Sequence, residues 1–174
     1  MANTYEAIAT VTVGSGGAAS IEFTSIPATY TDLLVKSSLR SNQSVTYNYA
    51  YIRINGITAS SYSYKLLYAD NNTVGSVGST SANEISANLT VGASSTASTF
   101  SNGEFYIPNY TSSNNKSIST DSVTENNNST GVGLYLGAAL FTTSSAITSI
   151  SLFTGATFTF NQYSTATLYG IKNS

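Results

Sequence analysis

"TYNYAYIRINGITASSYSYKLLYA", residues 46–69, decides the fold class. Tyr47, Tyr49 and Tyr51 recur at every second position, as do Tyr62, Tyr64, Leu66 and Tyr68. A period of two puts alternate side chains on opposite faces of an extended strand, whereas a helix needs apolar residues three and four apart. Tyr and Ile also suit a pleated surface. Between the runs stands Asn55-Gly56, a pair that tolerates the positive φ of tight turns. The stretch predicts two strands and a turn. If the strands pair with each other, the rings of Tyr47, Tyr49, Tyr51, Tyr62, Tyr64 and Tyr68 form a ladder on one sheet face.

The alternation continues in both directions. Residues 5–13 read as a strand, "GSGG" (14–17) as a hairpin loop, and residues 18–23 as its return. Residues 32–40, "DLLVKSSLR", are long enough for a helix, but Val35, Ser37 and Ser38 are poor helix formers and the pattern alternates, so a strand is expected. "DNNTVGSVGSTSA" (70–82) reads as a long polar loop. Residues 83–91 and 116–125 read as strands. Residues 99–110 read as a strand broken at Asn102-Gly103 and ended by Pro108. "NNNSTG" (126–131) reads as a turn, and "VGLYLGAALF" (132–141) as a continuously apolar strand. The closing run offers "AITSISLFT", "ATFTF" and "TATLYGI". No amphipathic helix and no repeat period is present. Many short strands separated by Gly and Asn predict an all-β fold, a two-sheet antiparallel β-sandwich of jelly-roll type. No linker divides residues 1–174, so a single domain is expected.

Charged residues make up 8% of the 174, against about 25% in ordinary soluble chains. Ser and Thr fill about a third of the sequence, so hydroxyls rather than ions must solvate the surface. A hydroxyl is cheaper to strip of water than an ion, which suits a protein packed against neighbours. The six basic residues form no run and the net charge is −2, which argues against nucleic-acid binding. No apolar run can span a bilayer, and no secretory signal opens the chain, so neither membrane insertion nor secretion is expected.

The chain has no Cys and no His. Disulfides, thiolate metal sites, imidazole bases and Cys nucleophiles are excluded. Asp32, Asp70, Glu84, Glu104, Asp121 and Glu125 could supply a carboxylate pair, but their spacing selects none. A Ser nucleophile would need Lys36, Lys65, Lys116 or Lys172 as base. "DNN" at Asp70 lacks the spaced acids of a calcium loop. The expectation is a non-enzyme with no catalytic, cofactor or metal residues. The six tyrosines are the one constellation with a functional reading. Tyr supplies large contact area and a hydroxyl at low entropic cost, which suits a partner surface or a sugar platform. The competing reading is cross-strand stacking within the core.

"IEFTSIPATYTDLLVKSSLRS" (21–41), "YIRINGITASSYSYKLLY" (51–68), "GEFYIPNYTSSNNKSIS" (103–119), "SAITSISLF" (145–153) and "STATLYGIK" (164–172) follow one another in an order that resembles small β-sandwich virion proteins of tailed phages, a group well represented among phages of marine bacteria and cyanobacteria. The resemblance implies a jelly-roll structural protein of the particle with no catalytic residues. The expected role is a capsid decoration protein on the outer surface, bound to the major capsid protein or other virion proteins as a trimer. Assembly in the host cytoplasm and release by lysis would explain the missing signal. The alternative is a tail or fibre module that binds a host glycan.

Overall fold

The computed structural model describes residues 4–126, 131–155 and 157–172. Among these residues twelve strands are formed: β1 (Tyr5–Thr12), β2 (Ser20–Phe23), β3 (Asp32–Ser38), β4 (Tyr47–Ile54), β5 (Tyr62–Asp70), β6 (Thr73–Ala82), β7 (Ile85–Val91), β8 (Asn102–Ile107), β9 (Lys116–Thr124), β10 (Gly133–Phe141), β11 (Ile150–Phe153) and β12 (Thr165–Ile171). No helix occurs among the described residues. Burial follows the period of two: in β9, Lys116, Ile118, Thr120, Ser122 and Thr124 are buried while Ser117, Ser119 and Asp121 are exposed.

The strands make two antiparallel sheets, ordered β1-β12-β3-β8-β9-β10-β5-β6 and β2-β11-β4-β7. With β5, β6, β9 and β10 set aside, eight strands remain in two four-stranded sheets. Lettered B to I in chain order, they run B-I-D-G and C-H-E-F, which is the jelly-roll order. The other four form two insertions, β5-β6 and β9-β10, which widen the B-I-D-G sheet on one side. The chain is therefore a jelly-roll sandwich whose large sheet is twice as wide as its small one.

Several expectations from the sequence need correction. β4 and β5 do not pair: β4 lies between β11 and β7, and β5 lies between β10 and β6. The turn at Asn55-Gly56 is real, with φ of 51° and 65°, but residues 55–61 carry the chain from one sheet to the other. The loop at "GSGG" does the same between β1 and β2. Residues 70–82 are not a loop. Asn71-Asn72 turn tightly and β6 pairs back on β5. Asn102-Gly103 begins β8 rather than breaking it. Within "ATFTF", residues 157–159 form no strand and Phe160 makes only isolated bridges to Ala18 and Ser41; Ala156 lies outside the described residues. Residues 127–130 of the "NNNSTG" turn also lie outside them. The continuously apolar run of β10 has two faces, with Leu134 and Leu136 pointing outward.

The core between the sheets holds Ile21, Leu33, Val35, Ile52, Ile54, Leu66, Leu89, Phe105, Phe141, Leu152 and Leu168. One polar network runs through it. Asn88 of β7 donates through Nδ2 to Ser37 Oγ of β3 at 3.0 Å and accepts at Oδ1 from Ser122 Oγ of β9 at 3.0 Å. Ser122 Oγ also accepts Leu89 N–H at 2.8 Å. Gly103 of β8 passes directly over the Asn88 amide, and a Cβ there would overlap Oδ1. The network satisfies every member and fixes β7 across β3, β8 and β9.

Candidate functional site

The six expected tyrosines are not brought onto one sheet face. Tyr62 is buried, its ring stacked on Phe141 at 5.1 Å. Its hydroxyl accepts Ile54 N–H at 3.0 Å and lies 3.1 Å from the carbonyls of Ile54 and Ile57. Tyr47, Tyr49, Tyr64 and Tyr68 are half-buried against the core. Three of them gather on Tyr135 of β10: Tyr68 stacks on it at 5.6 Å, and Tyr47 and Tyr49 meet it edge-on at 6.4 and 5.8 Å. Tyr51 packs instead against Phe153 at 5.5 Å, beside Arg53. The ladder is thus mainly inter-sheet packing. Burial, followed by a hydrogen bond with Asp70, pushes the Tyr47 phenol up to about 12. Burial first, then bonding among these hydroxyls, raises Tyr49 and Tyr135 as well. Tyr135 went unread because "VGLYLGAALF" looks uniformly apolar. Its register opposite Tyr68 is the signal that places it.

The candidate carboxylates and lysines form no reactive pair. Glu104 and Asp121 are direct register partners on β8 and β9, but they stand on the flat outer face and Glu104 is held by Lys36 at 2.6 Å. Asp32 is buried, accepting the Tyr106 hydroxyl at 2.6 Å and Asn109 N–H at 2.8 Å. Lys116 is buried and donates to the carbonyls of Ser112, Thr143 and Ser145 at 2.6–3.1 Å. Burial lowers its pKa, and its partners are backbone carbonyls rather than a hydroxyl it could activate. Among the described residues no three metal-ligating side chains stand together.

The feature that sequence reasoning missed is on the outer face of the large sheet. The register defines one row of outward side chains across all eight strands: Thr10, Thr167, Lys36, Glu104, Asp121, Leu136, Leu67 and Ser76. The row begins with hydroxyls and charges and ends with leucines. A neighbouring row joins Asn102, Val123, Leu134, Ala69 and Val74. Leu67 is 62% exposed, Val74 83%, and Leu134 and Leu136 48% each. These side chains are adjacent on three strands, β10, β5 and β6, and make one apolar patch. It runs into an open depression of about 390 Å³ beside Lys65, Ala138 and Leu140. Large apolar residues scattered singly are ordinary on a protein surface, but a contiguous patch marks an interaction site.

The patch ends at β6, which has β5 on one side and, among the described residues, no strand on the other. β6 is ten residues long and carries no charge and no proline, the usual guards of a sheet edge. Gly75 makes room for the Tyr68 ring, whose hydroxyl would lie 2.6 Å from a Cβ there. Compared with models of protein families the chain matches none, and compared with curated proteins it also matches none.

Proposed function

We propose that the protein is a non-enzymatic structural component of a tailed-phage particle, a decoration protein seated on the outer capsid surface. The apolar patch of Leu67, Val74, Leu134 and Leu136 carries the reading. A face of this kind on an otherwise hydroxyl-rich, weakly charged molecule favours being covered by another protein. The capsid lattice repeats one docking surface many times, and a protein that binds only the assembled lattice stabilises it by mass action. A trimer at the local threefold axes would satisfy such sites with identical contacts. The jelly roll is common among virion proteins, which supports the reading by analogy of fold alone.

Quantification of the protein in purified particles, with heat-release of the genome from particles lacking it, tests the proposal. Hundreds of copies and a lower release temperature without the protein are expected. A handful of copies, with unchanged release temperature and lost adsorption to cells, would instead favour the tail or fibre reading.

A further inference from the structure

A second surface lies at the end of the sandwich where the β1–β2, β3–β4, β7–β8 and β11–β12 loops converge. They enclose an open cavity of about 560 Å³, lined among others by Arg40, Asn42, Phe100, Asn161, Gln162 and Tyr163. The loops are tied together by backbone bonds: Asn42 N–H to Thr159 O, Asn161 N–H to Arg40 O, and Tyr163 N–H to Val13 O, at 2.7–3.0 Å. The cavity is therefore largely preformed.

Two features of its wall are costly to the fold. Residues 161–164 make a β-turn closed by Ser164 N–H to Asn161 O at 3.1 Å. Tyr163 holds its third position with φ of 72°, where glycine is usual. A bulky side chain in that region is strained, and strain persists where surrounding bonds fix the backbone. The ring gains little within the fold in return, because Tyr163 is 68% exposed. The second feature is Arg40, a buried cation with no carboxylate within ion-pair distance among the described residues. Its guanidinium donates only to neutral groups: Thr96 O, Thr99 O and Thr99 Oγ1 from Nη1, and Ser95 O from Nη2, at 2.9–3.2 Å. Desolvation lowers its pKa from the ordinary arginine value. No acidic residue lines the cavity. Asn42 uses its Oδ1 to accept Thr159 N–H at 3.0 Å, and its Nδ2 has no acceptor among the described residues.

We propose that this cavity binds a saccharide unit bearing a carboxylate or sulfate, with Tyr163 as the rigid platform for the sugar ring and Arg40 as the source of the preference for charge. Aromatic faces bind the C–H face of a sugar, the Asn42, Asn161 and Gln162 amides match its hydroxyls, and an unneutralised cation favours an anion. Phosphate chemistry fits less well, since the cavity offers one cation and an aromatic wall. The site lies apart from the apolar patch, so it does not depend on where in a particle the protein sits.

Titration calorimetry of the full chain with oligogalacturonate, an oligomer of a sulfated galactan, and the neutral galactan oligomer tests the proposal. The carboxylate or the sulfate arm should bind at least tenfold more tightly than the neutral arm, and added salt should narrow the gap. Tyr163→Gly should lower that affinity at least tenfold while leaving the melting temperature unchanged or higher, and Tyr163→Phe should keep binding. Equal binding of the neutral oligomer would overturn the charge preference, and no binding in any arm would overturn the site. A Tyr163→Gly protein that melts lower, or binds as well as wild type, would show that the ring has a structural role or none.

Discussion

Along the outer face of the large sheet, the β1-β12-β3-β8 half satisfies its own side chains and the β9-β10-β5-β6 half does not. In the first half Lys36 pairs with Glu104, Thr10 with Thr167, and the Tyr106 hydroxyl with Asp32. In the second, one register step past Asp121, the same row turns to Leu136 and Leu67 with nothing above them. The inner faces of β3, β12 and β10 are buried in both halves, while β6 at the far edge has no buried residue. The difference therefore does not serve the core. It teaches that the inserted strands extend the sheet into an apolar surface that the fold itself leaves uncovered.

Replacing Leu67 and Leu136 together by Glu should have the largest effect. Each is about half exposed, so a covering partner loses about 1.5 kcal/mol per residue, or on the order of 100-fold in affinity for the pair. The free protein should melt as before, because both side chains already face solvent. Sedimentation of the variant with particles lacking the protein measures the loss. Retained binding would refute the patch as the docking face.

Gly103→Ala breaks the seam between the halves. The new Cβ would overlap Asn88 Oδ1 and approach Ser122 Oγ at 3.1 Å, disturbing the network that holds β7 over β8 and β9. The expected cost is about 2 kcal/mol, a fall in melting temperature of about 4–8 °C. A scanning calorimetry trace within a degree of wild type would contradict it.

Alkaline pH should weaken the tyrosine cluster around Tyr135. The Tyr47 phenol sits near 12 in the fold and near 10 when unfolded, and Tyr49 and Tyr135 are raised in the same direction. A raised phenol pKa contributes stability that is complete below pH 10 and is lost as pH rises toward 12. Lys116 acts with the opposite sign, since its folded pKa is lowered, but the raised phenols outnumber it, with Tyr62 and Tyr106 among them. Melting temperature should fall between pH 10 and 12, and Tyr135→Phe should flatten the fall. A fall that Tyr135→Phe leaves equally steep would show that this cluster does not carry the loss.

The smallest effect belongs to the polar half. Lys36 and Glu104 are each about half exposed, so Lys36→Ala should change stability by about 0.5 kcal/mol or less. Urea unfolding measures it, and particle binding should not change.

What was legible in the sequence was the strand, not its partner. Residues 116–124 and 165–171 alternate cleanly because one side chain in two must enter the core. Pairing is another matter: Tyr5 meets Ile171, and nothing near either residue encodes that. Tight turns at 14–17 and 55–56 read as hairpins because turn chemistry is the same whether the chain returns beside itself or crosses to the facing sheet. β6 read as a loop because Gly75 and Gly78 dilute its alternation, and both are needed where Tyr68 and the Tyr64 carbonyl come close. The apolar run at 132–141 concealed the candidate surface, since nothing in a continuously apolar strand tells which residues face outward. Tyr163 lay in "NQYS", a stretch with no pattern to mark it.

The β1–β12 pairing bears on when the protein can fold. β1 leaves the ribosome first, yet the strand it pairs with is made last, and β2 likewise waits for β11. At about 5–20 residues per second, β1 stays without its sheet neighbour for roughly 8–30 s of synthesis. The contacts that close both sheets are distant in sequence, which places folding among the slow, non-local β topologies. During that interval the alternating strands Tyr5–Thr12 and Tyr47–Ile54 are open to foreign edges. A chain with few charges to repel its neighbours then depends on the local hairpins β5-β6 and β8-β9-β10, which pair in sequence order, to remove strand edges while the rest is still being made.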